Sequence, residues 1–574
     1  MFKNIITICI GATLLWGCKK SSFVDANIDP TVAYSVTPEN QFLNGTKALF
    51  SNDFEAYYEV YRNIMPWVQL NTPAAGNLKN FTASANPFSR YDNLYGRGGG
   101  PDLYDVNVLI SKLESPKKET YQQLGAISRI LLDYEAFYVS DIYGSIAYSE
   151  AYKGRYTLEF TVPFDSQQDA FSAIDADLKS AIQDIKTAPS GQFSLATYDQ
   201  FYFGNATKWV KAANALRLRM AMRIMKVDQA KATAIMQDVL SAPAADLMSD
   251  NTDSWALIAP PAYTSGGNFN PDGLRAPKAL TSFMVNNKDP RTRDFFTKNS
   301  WSNENFDLAK AQGVINSDAT FADQRYVGSF ASPDSSATLA NKAKYYTTRS
   351  IKKGGGTNTI NLDTLSNINP RIFQVAFSGA SGNTGKGIQY IPLITYADYC
   401  FMLAELSYAG VKGDDPAVWY NKGVTASIQY YGKMATDGTF LDYYLENGLG
   451  MQVAVPTQTE IDNYLAMPAV KYNPAKGLDM IASQSFINFF KEPNEAWALI
   501  KRTGMPNSTT SLMLEKLLYN GSELSIPRRA PRDLPPTTNI NYTNINAAFT
   551  DMQSSPYYGS GPSDISGRVW WDKN

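Results

Sequence analysis

Four blocks of the chain repeat their apolar residues at intervals of three and four, and this spacing commits them to α-helix. Leu124, Ile127, Leu131, Tyr134, Tyr138 and Ile142 fall on one face because a helix turns once every 3.6 residues or so. Phe171, Ile174, Leu178, Ala181 and Ile185 repeat the pattern, with Asp165 or Ser166 placed to cap the start. Trp209, Ala213, Leu216, Met220 and Ile224 form the third stripe, interleaved with Arg217, Arg219 and Arg223. The long arginine stems can cover apolar surface while the charged heads reach partners. A shorter helix follows around 230–240. The fourth block covers 395–409, and beyond "GVKGDDP" another helix is expected over 417–431, then two more over 481–490 and 494–501.

Helices joined in short-linked pairs predict tetratricopeptide-like stacking. No clean repeat of about 34 residues is present, so the pairs are degenerate units rather than a regular solenoid. Between these blocks the period dissolves. Residues 240–390 are punctuated by Gly, Asn, Ser and Pro, as in "PPAYTSGGNFNPDG", and residues 46–102 read similarly. Long irregular stretches inside a domain are usually functional surface. The expected fold class is therefore mainly all-α: one helical-pair domain over 46–574 carrying two loop-rich, ligand-binding insertions, at about 46–102 and 240–390.

The N-terminus sets the location. Ile5–Trp16 is an apolar run after the single basic Lys3, too short for a permanent span of about 20 residues and proportioned like a signal-peptide core. Leu15-Trp16-Gly17-Cys18 then follows the bacterial lipoprotein pattern, so residues 1–17 are expected to leave and Cys18 to be acylated. One chain anchors only marginally, at about 0.8 kcal/mol per buried methylene, so stable attachment takes several. Lys19 and Lys20 come next, where cations sit well beside phosphate headgroups. The stretch to residue 45, with Pro30 and Pro38, reads as a tether.

Composition removes most catalytic alternatives. The chain has 574 residues and no histidine, which excludes serine–histidine triads and histidine-ligated metal centres. Net charge is −2 with no basic run, so nucleic acid is not an expected partner. Of three cysteines, Cys9 leaves with the leader, Cys18 takes lipid and Cys400 stands alone, which excludes a disulfide framework. Cys400, inside an apolar helical block, is read as a small buried hydrophobe.

Apparent motifs do not hold up. "YGRGGGPD" (95–102) has no preceding strand, and Pro101 breaks into the helix start expected of a phosphate cradle. "SGNTGKG" (381–387) misplaces its first glycine, and Gly387 stands where a metal-binding hydroxyl belongs. Asp175 and Asp177 are read as a solvated helix face, and "DNTDS" (250–254) lacks a calcium-loop pattern. No cofactor is expected, with bound calcium left open.

The helical blocks carry a resemblance. "VSDIYGSIAYSEAYKG", "FDSQQDAFSAIDADL", "ATKWVKAANALRLRMAMRI", "DPR", "ITYADYCFMLAEL", "YNKGVTASIQYYG", "EAWALIKRTGMP", "IPRR" and the final "GRVWWDKN" occur in the order seen in the SusD/RagB family, and the chain resembles its SusD-like branch 2 from about residue 30 to 574. The resemblance implies a tetratricopeptide-like fold and a nutrient-binding outer-membrane lipoprotein displayed at the cell surface. It further implies a SusC-like, TonB-dependent transporter as partner, oligosaccharide or in some members peptide as ligand, and no enzymatic activity. Two departures stand out. Ser145-Ile146-Ala147 replaces a usually charged, proline-containing turn, and Lys501-Arg502 replaces a commoner double arginine.

Ligand contacts are expected from the insertions. A sugar offers an apolar CH face edged by hydroxyls, which suits an aromatic platform beside short polar side chains. Trp67, Asn86, Arg90, Tyr91 and Tyr95 provide that combination in the first insertion; Trp255, Tyr263, Asn268 and Trp301 provide it in the second. A lipid-anchored glycoside hydrolase, with carboxylates meeting in the insertions, is the competing hypothesis.

Overall fold

The computed structural model describes residues 36–72, 87–96, 98–260, 263, 267–271, 273–318, 320–321, 325–341, 349–356, 358–373, 388–438 and 454–572. Each expected helix forms, and five of them are capped by the polar side chain before them: Ser166, Asn205, Asp228, Thr395 and Asp415. We label α1 Pro38–Phe50, α2 Arg90–Tyr95, α3 Gly99–Ser111, α4 Gln122–Tyr143, α5 Gln167–Thr187, α6 Ala206–Ile224 and α7 Gln229–Leu240. Later in the chain come α8 Asn303–Ala311, α9 Tyr396–Tyr408, α10 Pro416–Asp437, α11 Gly477–Asn488, α12 Pro493–Thr503 and α13 Tyr542–Gln553. Ser166, rather than Asp165, caps α5 by accepting the Asp169 N–H at 3.1 Å, and Thr395 caps α9 through the Asp398 N–H at 3.1 Å. Each cap satisfies a backbone donor that the helix start would otherwise leave unpaired.

The helices stack in sequence-adjacent pairs, α4 on α5, α6 on α7 and α9 on α10, with α6 bridging to α5 and α9. Their apolar stripes merge into one core running from Phe42 to Trp571. The α6 arginines reach out of that core in three directions. Arg217 pairs with Asp175 of α5 at 2.7 Å and with Asp238 of α7 at 2.7 Å. Arg219 pairs with Asp398 of α9 at 2.5 Å and Glu492 at 3.2 Å, and donates to Leu393 O at 2.7 Å. Arg223 pairs with Asp141 of α4 at 2.8 Å and Glu495 of α12 at 2.7 Å. Asp175 is thus buried and paired, not the solvated residue its position between apolar neighbours suggests. Cys400 is buried and free, and burial pushes its thiol up to about 12, so it packs as a hydrophobe.

Among the described residues, both insertions carry more regular structure than their composition predicts. Helix α1 already begins at Pro38, with Phe42 fully buried, so residues 38–45 belong to the folded body and not to a tether. Residues 55–64 form a π-helix that runs into a short α-turn at 65–67. Pro101 lies in the first turn of α3, where no intrahelical N–H bond is needed, so it does not break the helix. Gly100 is required there: a Cβ would run into Leu94 O and the Tyr152 hydroxyl.

In the second insertion, β1 (Trp255–Ala259) pairs antiparallel with a later strand (Gln389–Ile394), Leu257 opposite Ile391. Between them, β2 (Arg349–Lys353) and β3 (Asn358–Leu362) form a hairpin. The hairpin and α8 enclose a small separate core of Trp301, Phe306, Ala309, Ile351 and Leu362. Among the described residues no helix is long and apolar enough to cross a membrane.

Arg219→Met is expected to cost about 3–5 kcal/mol in urea unfolding, because it leaves Asp398 and Glu492 buried without their cation. Arg129→Ala, whose pairs with Asp177 and Asp184 are partly solvated, is expected to cost about 0–1 kcal/mol. Equal losses in the two variants would remove α6 as the organising helix.

Candidate ligand-binding face

The first insertion supplies an exposed aromatic group near a cavity. Phe54, Tyr57, Tyr58 and Tyr61 are spaced by three, one and three residues. The widened turns, seen in the Met65 N–H reaching Val60 O, divide them between two sides. Such π-turns recur at functional sites. Phe54 is 48 % exposed. Its ring stacks on Tyr58 at 5.8 Å with planes 14° apart, and Tyr57 meets Tyr58 edge-on at 4.9 Å. Arg62 holds Tyr57 in place, lying 4.1 Å from its ring centroid and donating to its hydroxyl at 2.6 Å.

The inner side of the same helix is locked by charge. Glu55 and Glu59 are buried, and α2 brings Arg90 between them. The Arg90 guanidinium pairs with Glu55 at 2.5 Å and with Glu135 of α4 at 2.9 Å, and lies 4.4 Å from the Tyr138 ring centroid. Glu59 accepts the Ser89 and Arg90 N–H groups at 2.7 and 2.9 Å. Three carboxylates share one cation out of water. Burial pushes the Glu55 carboxyl up to about 8, with the neighbouring acids adding to it and Arg90 opposing; Glu59 and Glu135 are also raised by burial.

Between this helix and the core is a cavity of about 100 Å³, lined by Asn52, Tyr61, Phe269, Phe373, Gln389 and Lys491 among others. Tyr61 closes its floor by donating to Phe269 O at 2.9 Å. The buried Lys491 amine donates to Tyr390 O at 2.7 Å and to Ile372 O, and burial pulls it down to about 7. Gln389 Oε1 is buried without a hydrogen-bond partner.

The residues expected from sequence are scattered around this face. Arg90 lines the cavity, and Asn268 is half-buried next to Phe269. Tyr91 and Tyr95 are on α2 itself, half-buried with their rings 4.6 Å apart; Arg532 donates to the Tyr91 hydroxyl at 2.7 Å, and Tyr95 donates to Ala147 O at 2.5 Å. Trp67 is buried between Phe88 and Trp497, at 5.7 and 5.2 Å, so its faces are taken by the core. Trp255 is buried between Tyr134 and Trp209, Tyr263 is buried, and Trp301 fills the separate core beside the hairpin. These four rings offer no platform to solvent, because apolar area of that size is worth more inside. Asn86, Cys18 and the "SGNTGKG" segment lie outside the described residues. Phe54, Tyr57 and Tyr58 went unnoticed, although "FEAYYEVY" carries a helical spacing within a stretch read as loop.

The arrangement provides contact surface rather than reacting groups. Among the described residues no cluster of acids and cysteine could hold a metal ion, and the carboxylates beside the cavity are engaged by Arg90, Asn93 and backbone donors. The fold is a helical-pair scaffold with this aromatic edge on one face. Comparison with known proteins agrees. The model of the SusD-like family described as "Starch-binding associating with outer membrane" matches residues 30–530, and the chain belongs to this family.

Among solved structures, a chitin-binding protein matches at 20 % identity over 94 % of this chain and 100 % of its own, with a TM-score of 0.68. A SusD homolog from Bacteroides fragilis matches at 20 % identity over 94 % and 100 %, with a TM-score of 0.64. A chitin-binding SusD homolog from Flavobacterium johnsoniae matches at 20 % identity over 93 % and 99 %, with a TM-score of 0.62. No curated protein sequence matches. At these identities the likeness establishes the fold.

The buried acids make stability depend on pH. Glu55 keeps its proton in the folded chain from its ordinary 4.5 up to about 8, where the unfolded chain has released it. Its contribution is therefore lost as pH rises through that window. Lys491, lowered from 10.5 to about 7, acts in the opposite sense above neutrality. The difference between wild type and Glu55→Gln isolates the first effect: the variant should lose less stability between about pH 5 and 8 in chemical denaturation. Parallel profiles for the two proteins would contradict it.

Proposed function

We propose that the protein is a surface lipoprotein that captures oligosaccharide on the Phe54–Tyr57–Tyr58 edge and passes it to a SusC-like, TonB-dependent transporter. The observation carrying this reading is the exposed Phe54 ring stacked nearly parallel on half-buried Tyr58, while Trp67, Trp255 and Trp301 are buried. A sugar ring stacks its CH face on such a pair, and Asp53 precedes Phe54 in the chain to meet hydroxyls. The family description names starch, and two solved relatives are named for chitin, both of them polysaccharides. Arg90 serves as a positioning residue, setting the helix through Glu55 and Glu135.

The same reading makes the protein a receptor rather than a hydrolase. Two catalytic carboxylates must face each other across the bond they cleave, about 5–9.5 Å apart. Glu55 and Glu59 instead share one side of one helix and turn inward to Arg90 and the α2 backbone. Residues 1–17 act as leader, and Cys18 carries the acyl chains that hold the body at the outer membrane.

Glycan-array binding of the full chain, followed by titration of the best neutral oligosaccharide, tests the reading. Binding in the micromolar range or weaker is expected, as an open edge encloses little of its ligand. Phe54→Ala with Tyr58→Ala should weaken it by about tenfold or more, since each lost stacking contact removes about 1 kcal/mol. Affinity unchanged in that variant removes the edge, and new reducing ends in the mixture would establish hydrolysis. Mass spectrometry of the native N-terminus is expected to show acylated Cys18; an unmodified amino end there would remove the anchor.

A further inference from the structure

A larger cleft, of about 460 Å³, lies where the C-terminal segment returns to the start of α5. It shares no lining residue with the cavity under the aromatic edge. One wall is Gly144–Ser145 with Ser166 and Gln168; the other is Asp551–Tyr558 with the Arg568–Trp570 segment. Phe171 of α5, Val569 and Trp570 pack with the main core, whereas Ile545 and Phe549 of α13 pack with Tyr558 in a satellite cluster, so the cleft lies along the boundary of the two. Ligand sites form preferentially along such seams, and this volume falls in the range that small ligands occupy.

The seam is held open by its floor. Gly144 has φ +92°, and a Cβ there would come within 2.6 Å of the Met552 sulfur. Only glycine lets the two units meet at this point and leave space beside it. Tyr558, 2 % exposed, lines the cleft with its hydroxyl buried, and Arg529 is stacked on the face of its ring, 3.8 Å from the centroid, which fixes this wall.

The rest of the lining names the ligand class. Tyr557 is 49 % exposed and Trp570 is half-buried, so two aromatic faces border the space. Gln168, Ser145, Ser554 and Ser555 add an amide and three hydroxyls. The two charged side chains, Asp551 and Arg568, are of opposite sign and cancel, so the cleft selects neither an anion nor a cation. From this juxtaposition we infer that the cleft is a second glycan site, binding a neutral oligosaccharide by stacking on Tyr557 and Trp570 and by hydrogen bonds from its hydroxyls to Gln168 and Asp551. The inference rests on the glycan reading of the protein but not on the Phe54 edge. A chain with two separate footholds retains a polymer longer than either foothold alone, because the second contact forms at high effective concentration.

The test titrates the full chain with neutral hexasaccharides of N-acetylglucosamine and of glucose by calorimetry, in wild type, Phe54→Ala/Tyr58→Ala and Tyr557→Ala/Gln168→Ala. Tyr557 and Gln168 are exposed, so the last variant keeps its fold, which its circular dichroism and melting curve check. Two classes of site are expected in wild type, with the cleft class weakened about tenfold by Tyr557→Ala/Gln168→Ala and retained in Phe54→Ala/Tyr58→Ala. A single class that disappears with the Phe54 edge and ignores Tyr557→Ala/Gln168→Ala overturns the second site and leaves the first. Binding that survives loss of the edge and falls with Tyr557→Ala/Gln168→Ala supports the cleft against the edge. Absence of binding by either hexasaccharide in wild type overturns both.

Discussion

Three arginines on α6 are buried, and a buried guanidinium is tolerated only when carboxylates surround it. This requirement places the helices around α6. Arg217 needs Asp175 and Asp238, so α5 and α7 must flank it; Arg219 needs Asp398 and Glu492, so α9 and the start of α12 must close from the other side. Arg223 then draws in α4 and α12 through Asp141 and Glu495. Apolar stripes alone would let helices slide or rotate against one another, because the hydrophobic effect has no direction. The charged contacts fix register, and the apolar contacts supply most of the burial.

The face above this scaffold follows the same logic on a smaller scale. Arg90 gathers Glu55, Glu59 and Glu135, which pins the inner side of the π-helix to α2 and α4. A helix with 10 residues in π geometry gives up favourable α hydrogen bonding, and the acid–arginine cluster is what holds it there. With the inner side fixed, Phe54 faces outward on half-buried Tyr58, so the platform is presented before any ligand arrives. Preorganisation of that kind matters for a shallow site, where ordering a side chain on binding costs about 0.5–1.5 kcal/mol of the little that is gained.

The helical pairs were legible because their apolar positions keep one period for 15 residues or more, and a single partner face explains them. The strand pair β1 and 389–394 was not, since its halves lie far apart in sequence and each is only five or six residues long. The first insertion misled for a different reason. Its polar residues Glu55, Glu59 and Asn93 are buried, Glu55 held by Arg90 and Asn93 and Glu59 by the Ser89 and Arg90 N–H groups, so a reading that equates polarity with solvent takes the helix for a loop. The same equation misplaced Asp175. For the proposed site, aromatic content singles out residues that the core has already claimed. Tryptophans 67, 255 and 301 are the best sugar platforms by chemistry, yet they carry the most apolar area and are the first to be claimed by a core.

What stays exposed is therefore the more informative signal. Phe54 at 48 % and Tyr557 at 49 % exposure keep their rings in water although buried neighbours lie close by: Glu55 follows the first and Tyr558 the second. In both places a buried group, Arg90 with its carboxylates or Arg529 stacked on Tyr558, fixes the backbone so that the adjacent ring faces outward. An exposed aromatic held by a buried ionic or stacked neighbour differs from a stray surface ring, since the chain spends ordered structure on its orientation. That distinction requires the packing of both neighbours, which sequence spacing alone does not contain.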